Sequence, residues 1–313
     1  MNDVNRTLVR TILSLILPLG LLSGLSFGSL AFPHVALAAS PPQACENPNP
    51  MRFSLIPRTD LARQMEEHRP LIQYLEKALG RKVVVIQSSS YSTVIEGLLA
   101  GSIDLASMGP ASYALARNRD ESITPFVTWT IQGGVFVKPG SATYNSLLIV
   151  RHDSPFRDIA DLKGRSVSLT DPASTSGGVL PRAEFSAQTG VPLEEYFDRV
   201  TYSGSHDRSI DTVKKGYADA AFVASEHLDN VIRRGGIEAS EVRVLWQSRP
   251  IPHDPFVYRG KLCPELRERI REIFLSDAPA IRVMLGNLKA ERFAPVGDED
   301  YIQIREILSR GGG

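Results

Sequence analysis

The chain contains 313 residues, which is enough for two domains of ordinary size. Its 35 Lys and Arg residues balance 35 Asp and Glu residues, so the sequence lacks the basic excess that is typical of nucleic-acid-binding proteins. With 42% hydrophobic and 22% charged residues, the composition is that of a globular protein and excludes a largely disordered chain.

The N-terminal segment has the pattern of a secretory signal peptide. Arg6 and Arg10 precede an apolar run without Asp, Glu, Lys or Arg, which extends over residues 11–39 and ends in "ALAA". The pattern predicts a signal peptide over residues 1–38, with cleavage after Ala38 or Ala39 and export to the periplasm. A second interpretation is an uncleaved anchor, because the run is long enough to span a bilayer.

The first half of the remaining sequence alternates short apolar runs with segments of helical periodicity. This alternation is typical of an α/β fold with a mainly parallel sheet. The predicted strands are "MRFSLIP", "KVVVIQ" and "IDLASMG". The predicted helices are "PLIQYLEKALG", which we expect to begin at Pro70, followed by "YSTVIEGLLAG" and "ASYALARN".

The second half repeats this alternation and then becomes helical. Strands are predicted at "SLLIVR", "GRSVSLT", "RVTYSG", "DAAFVA", "EVRVLW" and "DPFVYRG", and helices at "DRSIDTVKKG" and "EHLDNVIRRGG". From Pro264 onward the pattern predicts helices only. We expect two α/β lobes, residues 51–145 plus 256–313 and residues 146–255, joined by extended segments. Ligands of such sheets bind at the carboxyl ends of the strands, here in a cleft between the lobes.

The chain has two cysteines, Cys45 and Cys263. They lack the clustered spacing of a zinc site or a redox motif. Export to an oxidising compartment favours one disulfide between them, and two unpaired thiols are the alternative.

Catalytic signatures are missing from the sequence after the predicted signal peptide. Residues 39–313 contain no GxxxxGK[ST], GxSxG, HExxH or CxxC motif. We therefore predict a binding protein without catalytic residues, metal or cofactor. His206 lies in "SHD", but neighbouring residues do not form a catalytic triad, and a surface histidine is the simplest interpretation of this position alone.

The stretch "SLTDPASTSGGVLPR", residues 168–182, places three hydroxyl residues where a predicted strand passes into a predicted helix. One hydroxyl is enough to cap a helix start. Three hydroxyls together with the free N–H groups of a first helical turn could instead hold a tetrahedral oxyanion. Considered alone, the stretch is compatible with both interpretations.

Several segments taken together resemble the phosphonate, phosphite and phosphate solute-binding proteins of ABC transporters. The resemblance extends over about residues 51–275 and is most specific in "DPASTSG" and "IPHDPFV". It implies a type II periplasmic binding fold with the ligand between two lobes. It further implies that the phosphonate group is held by Tyr91, Tyr144, Ser174, Thr175, Ser176 and His206. For Tyr144, a packed aromatic residue at the hinge is the alternative.

Two acidic residues would serve a different part of the ligand. In the branch of the family that binds 2-aminoethylphosphonate, a glutamate and an aspartate at the positions of Glu226 and Asp254 hold the ammonium group. Alternatively, Glu226 stabilises a helix start through the helix dipole, and Asp254 shapes the segment that crosses between the lobes.

The resemblance thus predicts a monomeric periplasmic binding protein that captures an organophosphonate, with 2-aminoethylphosphonate as the first candidate, and delivers it to an ABC permease. A binder of phosphite, methylphosphonate or phosphate is the nearest alternative. The periplasmic sensor partner of a membrane histidine kinase is another. An enzyme on the same fold is disfavoured by the missing catalytic motifs.

Overall fold

The structure is a computed structural model, and it describes residues 45–310. The predicted signal peptide lies outside these residues. The described chain contains a six-stranded sheet, a five-stranded sheet and a two-stranded sheet. The two larger sheets, each covered by helices, form the two lobes, which confirms the predicted two-lobed α/β fold class.

Thirteen strands are found in the described residues. They are β1 (Met51–Leu55), β2 (Val83–Ile86), β3 (Leu105–Ser107), β4 (Thr124–Ile131), β5 (Thr143–Tyr144), β6 (Ser146–Arg151), β7 (Ser166–Leu169), β8 (Arg199–Tyr202), β9 (Ala220–Ala224), β10 (Val242–Gln247), β11 (Ile251–Pro252), β12 (Phe256–Tyr258) and β13 (Ala290–Pro295).

The α-helices are α1 (Leu61–Leu79), α2 (Tyr91–Leu99), α3 (Pro110–Arg119), α4 (Ser186–Thr189), α5 (Leu193–Tyr196), α6 (His206–Lys214), α7 (Ser225–Arg233), α8 (Pro264–Phe274), α9 (Pro279–Leu288) and α10 (Ile302–Arg310). Two short π-helical segments, Thr175–Val179 and Pro181–Phe185, lead into α4. Short 3₁₀-helices lie at Ile159–Leu162, Ala239–Glu241 and Asp298–Tyr301.

Both large sheets are mixed, which corrects the expectation of a mainly parallel sheet. The six-stranded sheet has the order β13-β4-β12-β3-β1-β2, and only β3, β1 and β2 run parallel to one another. The five-stranded sheet has the order β10-β6-β9-β7-β8, and β9, β7 and β8 are its parallel part. The strands that follow a crossing between the lobes, β6 and β12, pair antiparallel with their neighbours.

Two extended segments connect the lobes, and they pair with each other. Ile251 lies opposite Tyr144 and Pro252 lies opposite Thr143 in an antiparallel two-stranded sheet formed by β5 and β11. We propose that the lobes have the boundaries expected from the sequence, since the six-stranded sheet draws on residues 51–131 and 256–295 and the five-stranded sheet on residues 146–247.

Three elements differ from the sequence-based expectation. Helix α1 begins at Leu61, where the Asp60 side chain accepts a hydrogen bond from the Arg63 N–H, and Pro70 lies inside it. Strand β4 was not predicted, because its Thr and Pro residues interrupt the apolar pattern although it is almost entirely buried. The C-terminal region is not all helical, since β13 adds an edge strand with only two buried residues.

Each lobe has its own aromatic core. In the first lobe Phe53, Phe126, Phe256, Phe274 and Phe293 pack against one another. In the second lobe the ring of Phe185 is surrounded by those of Tyr196, Phe197, Phe222 and Trp246. Because these cores lie on the faces of the sheets, the strand ends remain free to line the space between the lobes.

A disulfide joins Cys45 to Cys263 across 218 residues of sequence. Cys45 is the first described residue, and Cys263 immediately precedes α8. The neighbouring Glu46 pairs with Leu262 in a short parallel bridge. The N-terminal end of the described chain is thereby attached to the first lobe.

We predict that this disulfide contributes to stability mainly by restricting the unfolded chain. For a closed loop of this length, the chain-entropy relation gives about 5 kcal/mol as an upper value. Denaturant unfolding of the double variant Cys45→Ala/Cys263→Ala should show a large loss in the free energy of unfolding. Two free thiols in denatured, unreduced wild-type protein would contradict the prediction.

Candidate functional site

A small buried cavity lies between the lobes at the ends of several strands. Its volume is about 10 Å³, which is about the minimum that holds one water molecule. The lining residues are Ile56, Arg58, Tyr91, Gly109, Tyr144, Ser174, Thr175, His206, Ala224, Glu226, His227 and Asp254. All the predicted site residues except Ser176 are among them.

The "STS" stretch begins a helical segment, as the sequence indicated, and two of its hydroxyls make different contacts. The Ser174 side chain accepts a hydrogen bond from the Gly177 N–H at 3.1 Å, which is a local cap. The Thr175 hydroxyl accepts a hydrogen bond at 2.9 Å from the N–H of Ala111 in the other lobe. Thr175 thereby caps α3, whose own N-cap residue, Gly109, has no side chain.

The two glycines after the hydroxyl residues allow this segment to pack directly on the end of β7. A Cβ atom on Gly178 would lie 2.2 Å from the carbonyl oxygen of Asp171, and one on Gly177 would lie 2.2 Å from the Thr170 hydroxyl oxygen. Both distances are far shorter than any tolerated contact. The "GG" pair is therefore needed to bring Ser174 and Thr175 to the cavity.

Ser176 lies outside the cavity lining. Its carbonyl oxygen accepts a hydrogen bond from the Ser146 hydroxyl at 2.5 Å, and its own hydroxyl oxygen is buried without a hydrogen-bond partner among residues 45–310. Of the three hydroxyl residues, Ser174 and Thr175 thus line the cavity. The assignment of Ser176 to the phosphonate site stays a prediction.

Two buried tyrosines face the hydroxyl residues. Burial raises the pKa of Tyr91, and the nearby Asp254 and Asp171 carboxylates raise it further. Burial also raises the pKa of Tyr144 well above its ordinary value. Both phenols consequently stay protonated and can donate hydrogen bonds to an anion. Tyr144 also packs edge-on against His253, with ring centres 5.6 Å apart, so it has a packing role at the hinge as well.

His206 lies at the start of α6 and is buried in the cavity wall. The Ala224 N–H donates to its Nδ1 at 3.2 Å, so Nδ1 carries no proton, and the Thr170 hydroxyl contacts the same nitrogen at 3.1 Å. Burial, together with the neighbouring His227, lowers the pKa of His206 well below its ordinary value. The ring is therefore neutral with its proton on Nε2, where it can donate to an oxyanion.

Glu226 is the second residue of α7, and its carboxylate lies beside two histidine side chains. Its carboxylate contacts the Nε2 of His253, and the His227 Nε2 lies 3.6 Å away. Burial by itself would raise the pKa of Glu226, but the charge and the hydrogen bond of His253 outweigh burial and lower it. Glu226 is thus a buried carboxylate held ionised by a residue of the second crossing segment.

Asp254 lies two residues after β11, next to Tyr144 and Arg58. Burial raises the pKa of Asp254, while His253, Arg58 and a hydrogen bond from Tyr144 oppose that shift. The Arg58 Nη1 is 3.9 Å from an Asp254 oxygen, which is an ion-pair distance and too long for a hydrogen bond.

Helix α7 is anchored to the first lobe by Asp229, which holds Glu226 and His227 in place. The carboxylate of Asp229 accepts hydrogen bonds of 2.8–3.2 Å from the N–H groups of residues 135–137, in the loop that follows β4. Three amide donors on one carboxylate make a strong local contact between the lobes.

Three polar residues of this region were missed in the sequence analysis: Arg58 and His227, which line the cavity, and His253, which contacts Glu226. Each had a local signal, because Arg58 follows a predicted strand end, and the two histidines adjoin predicted acidic ligands. Within residues 45–310, no group of three or more His, Cys, Asp and Glu side chains is arranged to hold a metal ion. In the same part of the chain, no helix has both the length and the apolar character needed to cross a membrane.

Comparisons with known proteins agree with this architecture. The sequence profile of the family described as "ABC transporter, phosphonate, periplasmic substrate-binding protein" matches residues 53–301. The phosphate-import protein PhnD of Mycolicibacterium smegmatis is 28% identical over 286 residues, which cover 85% of this chain and 87% of that protein. The phosphonates-binding periplasmic protein of Escherichia coli is 27% identical over 292 residues, covering 89% and 82%. These proteins are binding components and not enzymes, as the missing catalytic motifs predicted.

Two solved structures show the same fold. The binding protein component of an ABC phosphonate transporter from Pseudomonas aeruginosa aligns with a TM-score of 0.75 at 23% identity, covering 82% of this chain and 85% of that one. A Prochlorococcus marinus protein in complex with methylphosphonate aligns with a TM-score of 0.70 at 20% identity, covering 83% and 97%. At these identities the alignments establish the two-lobed periplasmic binding fold.

The buried histidines predict a loss of stability in mild acid. Burial lowers the pKa of His68 to about 3 and that of His227 to about 4, and it also lowers that of His206. Below pH about 6.5 these histidines bind protons in the unfolded chain but not in the native state. The free energy of unfolding therefore falls as the pH decreases from there. The slope is up to ~1.4 kcal/mol per pH unit for each histidine.

Denaturant unfolding between pH 7.5 and 5 measures this slope. His68 lies on α1 outside the cavity, where its Nδ1–H donates to the Gln64 carbonyl at 2.8 Å. In His68→Gln the slope of unfolding free energy against pH should decrease by up to ~1.4 kcal/mol per pH unit, the contribution of one proton. The control is His152→Gln at an exposed position, and its slope should match wild type. Identical slopes for wild type and His68→Gln would contradict the prediction.

Proposed function

We propose that this chain, which belongs to the family of periplasmic substrate-binding proteins of phosphonate ABC transporters, captures an organophosphonate between its lobes and delivers it to the permease. The first candidate for the ligand is 2-aminoethylphosphonate. The protein needs no catalytic residue for this role and, in our proposal, acts as a monomer. One observation carries the ligand assignment: two buried carboxylates share the cavity with a cluster of hydroxyl donors.

The hydrogen-bond donors of the cavity wall are the reason to place the phosphonate group beside them. Ser174 and Thr175 contribute hydroxyls at a helical start, and Tyr91 and Tyr144 contribute phenols that stay protonated. His206 adds an Nε2–H donor from a ring that stays neutral. Neutral donors of this kind suit a phosphonate dianion, because hydrogen bonds to an ionised acceptor are the stronger ones.

Two buried carboxylates, those of Glu226 and Asp254, are the reason to expect an ammonium group on the ligand. These residues are only 6% and 4% exposed. A buried carboxylate is stable only when a cation or several hydrogen-bond donors accompany it. An ammonium group between the two carboxylates would supply that compensation. The phosphonate would then lie against the hydroxyl donors, and the two-carbon chain would extend between these two sides.

A second candidate is a smaller oxyanion such as phosphite, methylphosphonate or phosphate. It is favoured by the partners that already accompany the carboxylates: the His253 imidazole contacts Glu226, and the Arg58 guanidinium lies 3.9 Å from Asp254. With these partners the carboxylates do not require an ammonium. The name of the M. smegmatis relative, a phosphate-import protein, points in the same direction.

A crossover experiment separates the two candidates. Ethylphosphonate has the length of 2-aminoethylphosphonate without the ammonium, and it should bind wild type more weakly because the carboxylates lack that partner. Glu226→Gln should weaken 2-aminoethylphosphonate by about 10- to 150-fold, as expected for one lost charge-assisted bond. Ethylphosphonate should be unchanged or improved by the same substitution. Titration calorimetry with both ligands measures the four affinities.

Glu195→Gln is the matched control, because Glu195 is an exposed acid on α5 of the same lobe, away from the cavity. It should leave both affinities at their wild-type values. Equal wild-type affinity for the two ligands would overturn the amino-ligand assignment and favour the second candidate.

Export is the remaining part of the proposal. Membership of the family implies a periplasmic location, and we propose that the signal peptide is cleaved after Ala38 or Ala39. The mature chain should then begin at Ala39 or Ser40. Intact mass of protein from the periplasm measures this directly, and a mass that retains residues 1–38 would favour the uncleaved anchor.

A further inference from the structure

Arg58 is a buried cation in the cavity wall, and its guanidinium has an incomplete set of hydrogen bonds. It follows β1, and its residue exposure is only 6%. Its Nε is buried without a hydrogen-bond partner among residues 45–310, and its Nη1 is 3.9 Å from the nearest Asp254 oxygen. A guanidinium presents five donors, and burying one of them unpaired is costly.

The guanidinium is also held in a defined position. It lies over the indole ring of Trp129, with its central carbon 5.1 Å from the ring centre. Stacking on an aromatic face restrains the plane of the guanidinium and leaves its edge for a bidentate partner. The partner that matches this edge best is a carboxylate.

A wider cavity of about 460 Å³ adjoins the small one and supplies room for such a partner. The two cavities share Arg58, Glu226 and His227, so these residues lie where one opens into the other. The Arg58 guanidinium and the Glu226 carboxylate therefore both lie at the junction of the two cavities. A ligand carbon that bears both an ammonium and a carboxylate would match this pair of charges.

We propose that Arg58 binds a carboxylate on the amino-bearing carbon of the ligand, so that the ligand class is that of phosphonates with an amino-acid head group. The inference rests on the proposed function, because it assigns the ammonium to Glu226 and Asp254. The phosphonate lies at Ser174 and Thr175, and the carboxylate extends from the same carbon as the ammonium toward the wider cavity.

Two probes differ only in the group that Arg58 would bind. Relative to 2-aminoethylphosphonate, 2-amino-3-phosphonopropionate carries one additional carboxylate, on the carbon that bears the amino group. Titration calorimetry of wild type and Arg58→Gln with both probes gives a ratio of affinities for each protein. Because each ratio compares two ligands on one protein, a general change in the cleft cancels.

We expect wild type to bind the carboxylated probe at least as tightly as the other. In Arg58→Gln the ratio should shift toward 2-aminoethylphosphonate by about 10- to 150-fold, the effect of one lost charge-assisted contact. Arg58→Lys, which keeps the charge but loses the planar edge, should recover only part of the ratio.

Arg119→Gln is the matched control for the general positive field, because Arg119 lies on α3 of the same lobe and lines neither cavity. The Arg119 guanidinium, 55% exposed, is already paired with Glu96. Removing its charge should leave the ratio within about 2-fold of wild type. An equal shift in Arg119→Gln and Arg58→Gln would show a diffuse field and overturn the specific contact.

The remaining outcomes separate the inference from the proposed function. If wild type binds 2-aminoethylphosphonate but rejects the carboxylated probe, or if Arg58→Gln leaves the ratio unchanged, the inference is wrong and the proposed function stands. If wild type binds methylphosphonate or phosphate but neither amino ligand, the inference and the 2-aminoethylphosphonate assignment are both wrong, and the second candidate is favoured. If thermal unfolding shows that Arg58→Gln does not fold, the Arg58→Lys ratio decides, and a change below about 2-fold overturns the inference.

Discussion

Glu226 on α7 and His253 on the second crossing segment bring a carboxylate and an imidazole into contact where the lobes meet. The two residues are 6% and 1% exposed. Removal of the His253 imidazole would leave the buried Glu226 carboxylate without that partner, which is strongly unfavourable. The position of α7, and with it the wall of the cavity, therefore depends on the crossing segment that carries His253.

The same segment connects the cavity to the paired strands between the lobes. Tyr144 on β5, and His253 and Asp254 just after β11, belong to the paired extended segments that join the lobes, and two of them line the cavity. Lobe closure in binding proteins is a hinge motion. Under the proposed function, a ligand that changes the charge balance at Asp254 would act directly on the paired segments that join the lobes.

Side chains of the second lobe also complete helices of the first. The Thr175 hydroxyl caps α3 at Ala111, and the Asp171 carboxylate accepts a hydrogen bond from the Tyr91 N–H at the start of α2, at 3.3 Å. Helix starts carry unsatisfied N–H groups that need acceptors. Contacts between the lobes therefore use the same residues and helix ends that surround the cavity.

Local sequence patterns predicted the alternation of strands and helices, the cap at Ser174 and the family resemblance, which the matching profile confirms. Each of these features is carried by short segments of the chain. The folded chain was needed to show that Ser174 and Thr175 line the cavity, that His253 contacts Glu226, and that Arg58 approaches Asp254. Local patterns cannot predict such pairings, because the compensation of a buried charge depends on whichever distant side chain the fold brings beside it.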